Sequence, residues 1–186
     1  MRNEETWNKQ FRNHSIERYF PPRLQRLLKT IPVQTELDPN QNYYIFGETN
    51  TGKTVLAAQI FMERLKYDYI HALPWSHYTF VSFPEMLTSI RQTYAANSGL
   101  TEAHVLNKYS KAECLLIDDF LTARTTDWVM DILYYIINHR YEWELQTIIT
   151  TNKSLAEMEA IIIDQRITSR IDRSFSIIEK QPYKLT

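Results

Sequence analysis

Gly47-Glu48-Thr49-Asn50-Thr51-Gly52-Lys53-Thr54 lies between two patterned stretches and fits the phosphate-loop pattern G-x-x-x-x-G-K-[ST], or Walker A. Before it, Tyr43, Tyr44, Ile45 and Phe46 read as a short buried strand. After it, Val55, Ala58, Met62 and Leu65 recur at the spacing of one helix face. Strand, glycine loop and helix together aim backbone N–H groups and a helix N-terminus at one point, where an anion binds. Gly47 and Gly52 allow backbone angles and close approach that a Cβ would obstruct. Lys53 is expected at the β- and γ-phosphates of a nucleotide, and the Thr54 hydroxyl at Mg²⁺. Glu48, Thr49, Asn50 and Thr51 complete the loop. A chance match in a polar turn is the alternative, and the flanking strand and helix oppose it.

Outward from the loop, composition sets the frame. The chain has 186 residues, 44% hydrophobic and 23% charged, which suits one globular domain with a sizeable core. No apolar run approaches eighteen residues, so no membrane span is expected. Met1 to Glu5 lead into no apolar segment, so no signal peptide is expected. The single cysteine, Cys114, excludes an intramolecular disulfide and sits in an apolar run, where a buried, inert thiol is expected. These features point to the cytoplasm. The net charge of −1 predicts no strong general attraction to nucleic acid. Residues 1–30 nevertheless carry a net +4. That front end, with Trp7, Phe11, Tyr19 and Phe20, either meets DNA phosphates or an acidic partner, or is a solvated face. Residues 1–38 are therefore set apart as a basic and aromatic partner-binding candidate, and 39–186 as the nucleotide-binding domain.

Along the chain, Pro21-Pro22 breaks the first segment, and Arg23 to Leu28 form a short helix with Leu24, Leu27 and Leu28 inward. After the loop's helix, residues from Tyr67 to His77 read as a connection. Tyr78 to Phe83 are β-rich. Ser82 and Glu85 form a capping box for a helix from about Pro84 to Ala96, with Gly99 as its stop. Thr101 caps another helix. Cys114-Leu115-Leu116-Ile117 resembles a central parallel strand. Val129, Ile132, Leu133, Ile136 and Ile137 mark a regular helix over about 127–143. Gln146 to Thr151 is a fourth strand, and Ser154 with Glu157 a second capping box. A helix striped by Ile163, Ile167 and Ile171 follows, then a fifth strand over about 174–178. Strands alternating with helices predict a parallel sheet covered on both faces.

Further motifs carry chemistry. Leu115 to Asp119 is an apolar strand ending in two acids, the Walker B arrangement, which sets carboxylates beside the phosphate loop. Asp118 is expected to hold Mg²⁺ through water, and Asp119 to orient or deprotonate the attacking water. The alternative is a pair of acids in a solvated turn. The fourth strand ends in Thr150-Thr151-Asn152, so Asn152 either holds the water or γ-phosphate or caps the next turn. Arg166, Arg170 and Arg173 share one stripe, either the wet face of an amphipathic helix or the seat of an arginine finger.

These four stretches in order, Gly47–Thr54, Leu115–Asp119, Thr150–Asn152 and Asp164–Ile171, resemble an AAA+ ATPase of the DnaC/DnaI-type replicative helicase loaders, with IstB-type transposition helper ATPases close by. The stretch from Ile132 to Glu142 leading to Thr147–Asn152 is especially similar to the loaders, and the resemblance runs from about Asn42 to Ile178. It implies a P-loop NTPase of the ASCE type, with a five-stranded parallel sheet flanked by helices. It implies ATP or ADP with Mg²⁺, and slow ATP hydrolysis stimulated by oligomerisation or partners. Asn152 matches sensor 1 and Arg170 the arginine finger, with Arg166 one turn earlier as a second catalytic candidate. The implied partners are a hexameric replicative helicase, single-stranded DNA and, with ATP bound, further copies of the chain. Two departures stand out. Asp119 replaces the commoner glutamate, one methylene longer, and the few residues after Arg170 leave no room for a helical lid. The short N-terminal part suggests a phage or mobile-element protein. The rival expectations are a transposition helper, a small P-loop kinase and an ATP-binding inhibitor of a host loader.

Overall fold

The computed structural model describes residues 2–32, 37–73, 77–95, 99, 101–162 and 164–181. Five strands, β1 (Asn42–Gly47), β2 (Tyr78–Ser82), β3 (Cys114–Asp118), β4 (Gln146–Thr151) and β5 (Phe175–Lys180), form one sheet in the order β2-β3-β4-β1-β5. Every pairing is parallel. The alternation of side chains along each strand divides the core in two. Tyr43, Ile45, Cys114, Leu116 and Ile148 point to one face, and Tyr44, Leu115, Ile117 and Ile149 to the other. Both sets are buried, as a parallel sheet requires.

One face is covered by α4 (Lys53–Ile70) together with the N-terminal helices α1 (Glu4–Thr6), α2 (Arg12–Tyr19) and α3 (Pro22–Thr30). The other is covered by α5 (Phe83–Gln92), α6 (Glu102–Ser110), α7 (Asp127–Glu142), α8 (Leu155–Ile161) and α9 (Gln165–Ser174). The five apolar residues of the regular α7 pattern are all buried, and both capping boxes form. Ile167 and Ile171 of the α9 stripe are buried, while Ile163 lies outside the described residues. Cys114 is buried, and burial pushes its thiol up to about 12. Among the described residues, no helix is long and apolar enough to cross a membrane.

The structure corrects several element boundaries. Helix α4 runs on to Ile70 through a stretch read as a connection, because Tyr69 is buried against Trp7 and Phe11. Phe83 opens α5 rather than closing β2, since Ser82 is the N-cap. Helix α5 stops at Gln92, short of Ala96. There Thr93, Tyr94 and Ala95 bond three residues back, and the Thr93 hydroxyl takes the Ile90 carbonyl. Leu27, expected inward, is only half-buried.

The front end has its own geometry. A π-helical turn, Trp7–Phe11, joins α1 to α2 and inserts an extra residue into the helical period. Trp7 and Phe20 are only 2% and 4% exposed, and Tyr19 and Phe20 pack edge-on against Phe61 of α4. Lys9 pairs with Glu5, Lys29 with Glu17, and Arg12 donates to the Leu28 carbonyl. Arg23 and Arg26 remain exposed on α3.

Candidate nucleotide site

The phosphate loop leaves β1 at Gly47, whose φ is +147° and whose missing Cβ would fall 2.3 Å from the Lys180 carbonyl oxygen of β5. Only glycine lets the two parallel strands close at this point. Gly52, at φ +82°, is the N-cap of α4, so the loop enters the helix without a capping side chain. The Glu48 carbonyl accepts from both the Lys53 ammonium (2.6 Å) and the Thr51 hydroxyl (2.9 Å), which folds the loop around its own cation. Lys53 is 7% exposed. Burial lowers its pKa, and Asp119 and Asp118 offset part of that shift. A phosphate would supply the compensation that this ammonium lacks.

Asp118 ends β3 facing α4. The Thr54 hydroxyl donates to its Oδ1 at 2.8 Å and the Thr150 hydroxyl to the same atom at 2.5 Å. Burial raises the Asp118 pKa above the ordinary carboxylate range, and the two hydroxyls work against the rise. Asp119 follows with φ +55°, a left-handed backbone that is strained for a non-glycine residue. Its N–H donates to Thr150 Oγ1 at 3.1 Å.

Lys53, Thr54, Asp118, Asp119 and Asn152 all line one cavity of about 540 Å³ at the C-terminal edge of the sheet. Thr49, Asn50 and Gly52 form its floor, and Gly47, Glu48 and Thr51 frame the loop behind it. Asn152 is not the cap of α8: Ser154 accepts from Glu157 N–H in that role, and Thr151 Oγ1 accepts from Lys153 N–H. Asn152 lines the cavity instead.

The donor set suits Mg²⁺, which takes one or two carboxylates and keeps water and phosphate oxygens as its other ligands. Thr54 and Asp118 are already within hydrogen-bond reach of each other, and the described residues contain no cluster of three or more His, Cys, Asp or Glu side chains that would suit a metal held by protein alone.

The opposite wall comes from the N-terminal segment. Pro21, Arg23, Leu24, Leu27 and Ile31, from α3 and its flanks, line the same cavity together with Val55 and Phe80. Half-buried Leu27 faces the space that a nucleotide base or ribose needs. Pro21-Pro22 followed by paired leucines was the only available signal.

The arginines of α9 lie elsewhere, and neither Arg166 nor Arg170 lines this cavity. Arg166 forms a bidentate pair with Asp164 (2.7 Å at its closest) and lies 4.0 Å from the Tyr134 ring centroid. Arg170, on the stripe read as a wet face or the seat of a finger, is half-buried. Its guanidinium rests against Tyr134 and Tyr141 of α7, and one Nη donates to the Arg166 carbonyl. The tyrosine faces attract the cations and hold them along the helix. A larger hollow of about 800 Å³, near Arg140, Arg173, Glu142 and Glu144, lies at the other end of the sheet and has no phosphate loop.

Comparison with known proteins gives a family and a fold. A family model described as IstB-like ATP binding protein matches residues 13–177. The replicative helicase loader DnaC of Escherichia coli (strain K12) is 26% identical over 165 residues, or 88% of this chain and 63% of that protein. The chain therefore spans less than two thirds of the length of the curated relatives it matches. A crystal structure of the DnaC helicase loader superposes with a TM-score of 0.60 at 19% identity, over 96% of this chain and all of that one. A crystal structure of DnaI gives 0.58 at 21%, over 85% and 78% of the two chains. The replication initiator DnaA bound to AMPPCP and single-stranded DNA gives 0.61 at 18%, over 89% and 49%. The fold is that of an AAA+ P-loop ATPase.

Proposed function

The chain belongs to the IstB-like ATP-binding proteins, a helicase-loader-like family, and from that premise we propose that it binds and slowly hydrolyses ATP with Mg²⁺ to load a replicative helicase. The observation that carries this reading is the convergence of Lys53, Thr54, Asp118, Asp119 and Asn152 on one cavity. The phosphate loop, Gly47 to Thr54, binds the phosphates, with Lys53 meeting the β- and γ-oxygens. Thr54 and Asp118 would hold Mg²⁺, which would supply positive charge to offset that of the phosphates. Asp119 accepts the proton of the attacking water, and Asn152 holds that water or the γ-phosphate without adding charge. ADP remains in the same loop afterwards.

The last cation comes from a second copy of the chain. Arg170 does not line its own cavity, so a neighbour's phosphate is its target, with Arg166 a turn away released from Asp164 for the same task. ATP binding thus favours a homo-oligomer. A hexameric helicase and single-stranded DNA are the proposed partners, and exposed Arg23 and Arg26 in the 1–38 segment are the candidate contact. Because Trp7 and Phe20 are core residues and Arg23 also lines the nucleotide cavity, charge reversal at Arg26 tests that contact better than truncation. The IstB-like family match supports a second reading, a helper ATPase acting with a transposase on duplex DNA.

The test is phosphate release against protein concentration, followed by a mixture of Arg170→Ala and Lys53→Ala. Specific activity should rise with concentration, each variant alone should be poorly active, and mixing should restore part of the rate. Concentration-independent activity without rescue means a site complete in one chain and returns the reading to a small P-loop kinase. Co-elution of the ATP-bound protein with a hexameric helicase, rather than with a transposase on duplex DNA, then separates loader from helper.

A further inference from the structure

The two acids of the site are aligned by a residue to which no role has yet been given. Thr150, near the end of β4, is 0% exposed. Its hydroxyl donates to Asp118 Oδ1 at 2.5 Å and accepts the Asp119 N–H at 3.1 Å, while its carbonyl accepts the Phe120 N–H at 2.8 Å. Thr151 adds a bond from its hydroxyl to the Phe120 carbonyl at 2.8 Å. The regular ladder between β3 and β4 ends at Ile117↔Ile149, and these bonds take over beyond it.

A hydroxyl has one proton. The Asp119 N–H can only donate, so it occupies a lone pair of Oγ1, and the Thr150 proton is free to point at Asp118. One side chain thereby fixes two things: the direction of the Asp118 carboxylate, and the left-handed backbone at Asp119 (φ +55°) that brings its side chain to the cavity. Strained backbone of this kind persists only where its surroundings over-determine it. The chain Thr54–Asp118–Thr150–Asp119 N–H also joins α4, β3 and β4 in one line of bonds.

We propose that Thr150 is a positioning residue: its hydroxyl sets the geometry of both acids and so controls how tightly Mg²⁺ is held with ATP and how fast the bound ATP is cleaved. The proposal rests on the Mg-ATP reading. Its test therefore includes a measurement that needs no nucleotide.

In the nucleotide-free protein, Thr150→Val keeps the side-chain shape and removes the hydroxyl, so the Asp119 amide should lose protection from hydrogen exchange. Thr150→Ser should keep that protection. With a fluorescent ATP analogue, the Mg²⁺ concentration for half-maximal tightening of binding should rise about 10–100-fold in the valine variant and kcat should fall by a similar factor, as when an outer partner of a metal ligand is lost. The serine variant should restore both, and nucleotide affinity in EDTA should match wild type throughout. Unchanged Asp119 exchange in a folded Thr150→Val protein overturns the proposal whatever the protein does with ATP. An Mg²⁺ midpoint unmoved in the valine variant, or moved equally in the serine variant, also overturns it. A wild type that binds no Mg-ATP counts against the functional reading, and the exchange measurement still decides the alignment.

Discussion

Two buried cations sit at opposite ends of the same sheet, and the one with unfinished bonding borders the candidate site. Arg140, at the end of α7, is 1% exposed and forms no ion pair among the described residues. Its Nε donates to Thr147 Oγ1 (2.8 Å), one Nη reaches the Tyr109 (2.9 Å) and Ala112 (2.7 Å) carbonyls, and the other bonds the Gln146 carbonyl. Its planar fork closes the C-terminal end of α6 and ties it to the starts of β3 and β4. Lys53 is nearly as buried, yet donates to the single carbonyl of Glu48 and borders a cavity of about 540 Å³. Burial lowers the pKa of both cations. A lowered pKa alone would not separate the structural charge from the functional one. The remaining hydrogen-bonding capacity and the adjoining space do.

The largest expected effect tests the site end. Asp119→Asn should lower kcat by about 10²–10⁴-fold, because an amide cannot take the water's proton, while ATP affinity stays at the wild-type level. Wild-type turnover in that variant would remove Asp119 from the chemistry. At the other end, Arg140→Met should cost about 3–5 kcal/mol of stability in urea titrations, since several buried carbonyls lose their donor at once. Arg140→Lys should recover only part of this, as an ammonium lacks the fork. ATP affinity of the folded Arg140→Met protein should be unaltered, and a specific loss of nucleotide binding would break the division between the two ends.

A smaller effect sharpens the comparison. Since burial raises the Asp118 pKa above its ordinary 3.8, the unfolded chain ionises first as pH rises, and folding then bears the cost of a buried carboxylate. Asp118→Asn should therefore raise the melting temperature of the nucleotide-free protein at pH 7 by about 2–4 °C. The gain should shrink as pH falls through the raised pKa and vanish below the ordinary one. A lower melting temperature at pH 7 would mean that the carboxylate stabilises the empty site. The same variant should weaken the Mg²⁺ dependence of ATP binding.

Much of this arrangement was legible because it is local. Gly47–Thr54 lies between its own strand and helix, and Leu115–Asp119 announces a buried strand with acids at its end. The parts that escaped depend on chain segments distant in sequence. Trp7 and Phe20 looked like partner-facing aromatics because the π-helical turn at Trp7–Phe11 shifts the helical period and hides their common buried face. Helix α3 showed its leucines but not that Leu24 and Leu27 face a cavity opposite a loop more than twenty residues later. Thr150 looked like an ordinary β-former, and its hydroxyl gains meaning only from Asp118 and Asp119 on the adjacent strand. Arg140 sat within the stretch most similar to the loaders, and its carbonyl partners come from α6, the turn before β3 and β4.

If Lys53 is kept short of partners for the sake of a nucleotide's phosphates, calorimetric titration of Mg-ATP into wild type and Lys53→Ala, with urea melts of both, will show it. The wild type should give a clear binding isotherm and the variant none at the same concentrations, with urea midpoints that coincide or favour the variant. Equal ATP affinity in the two proteins would contradict it.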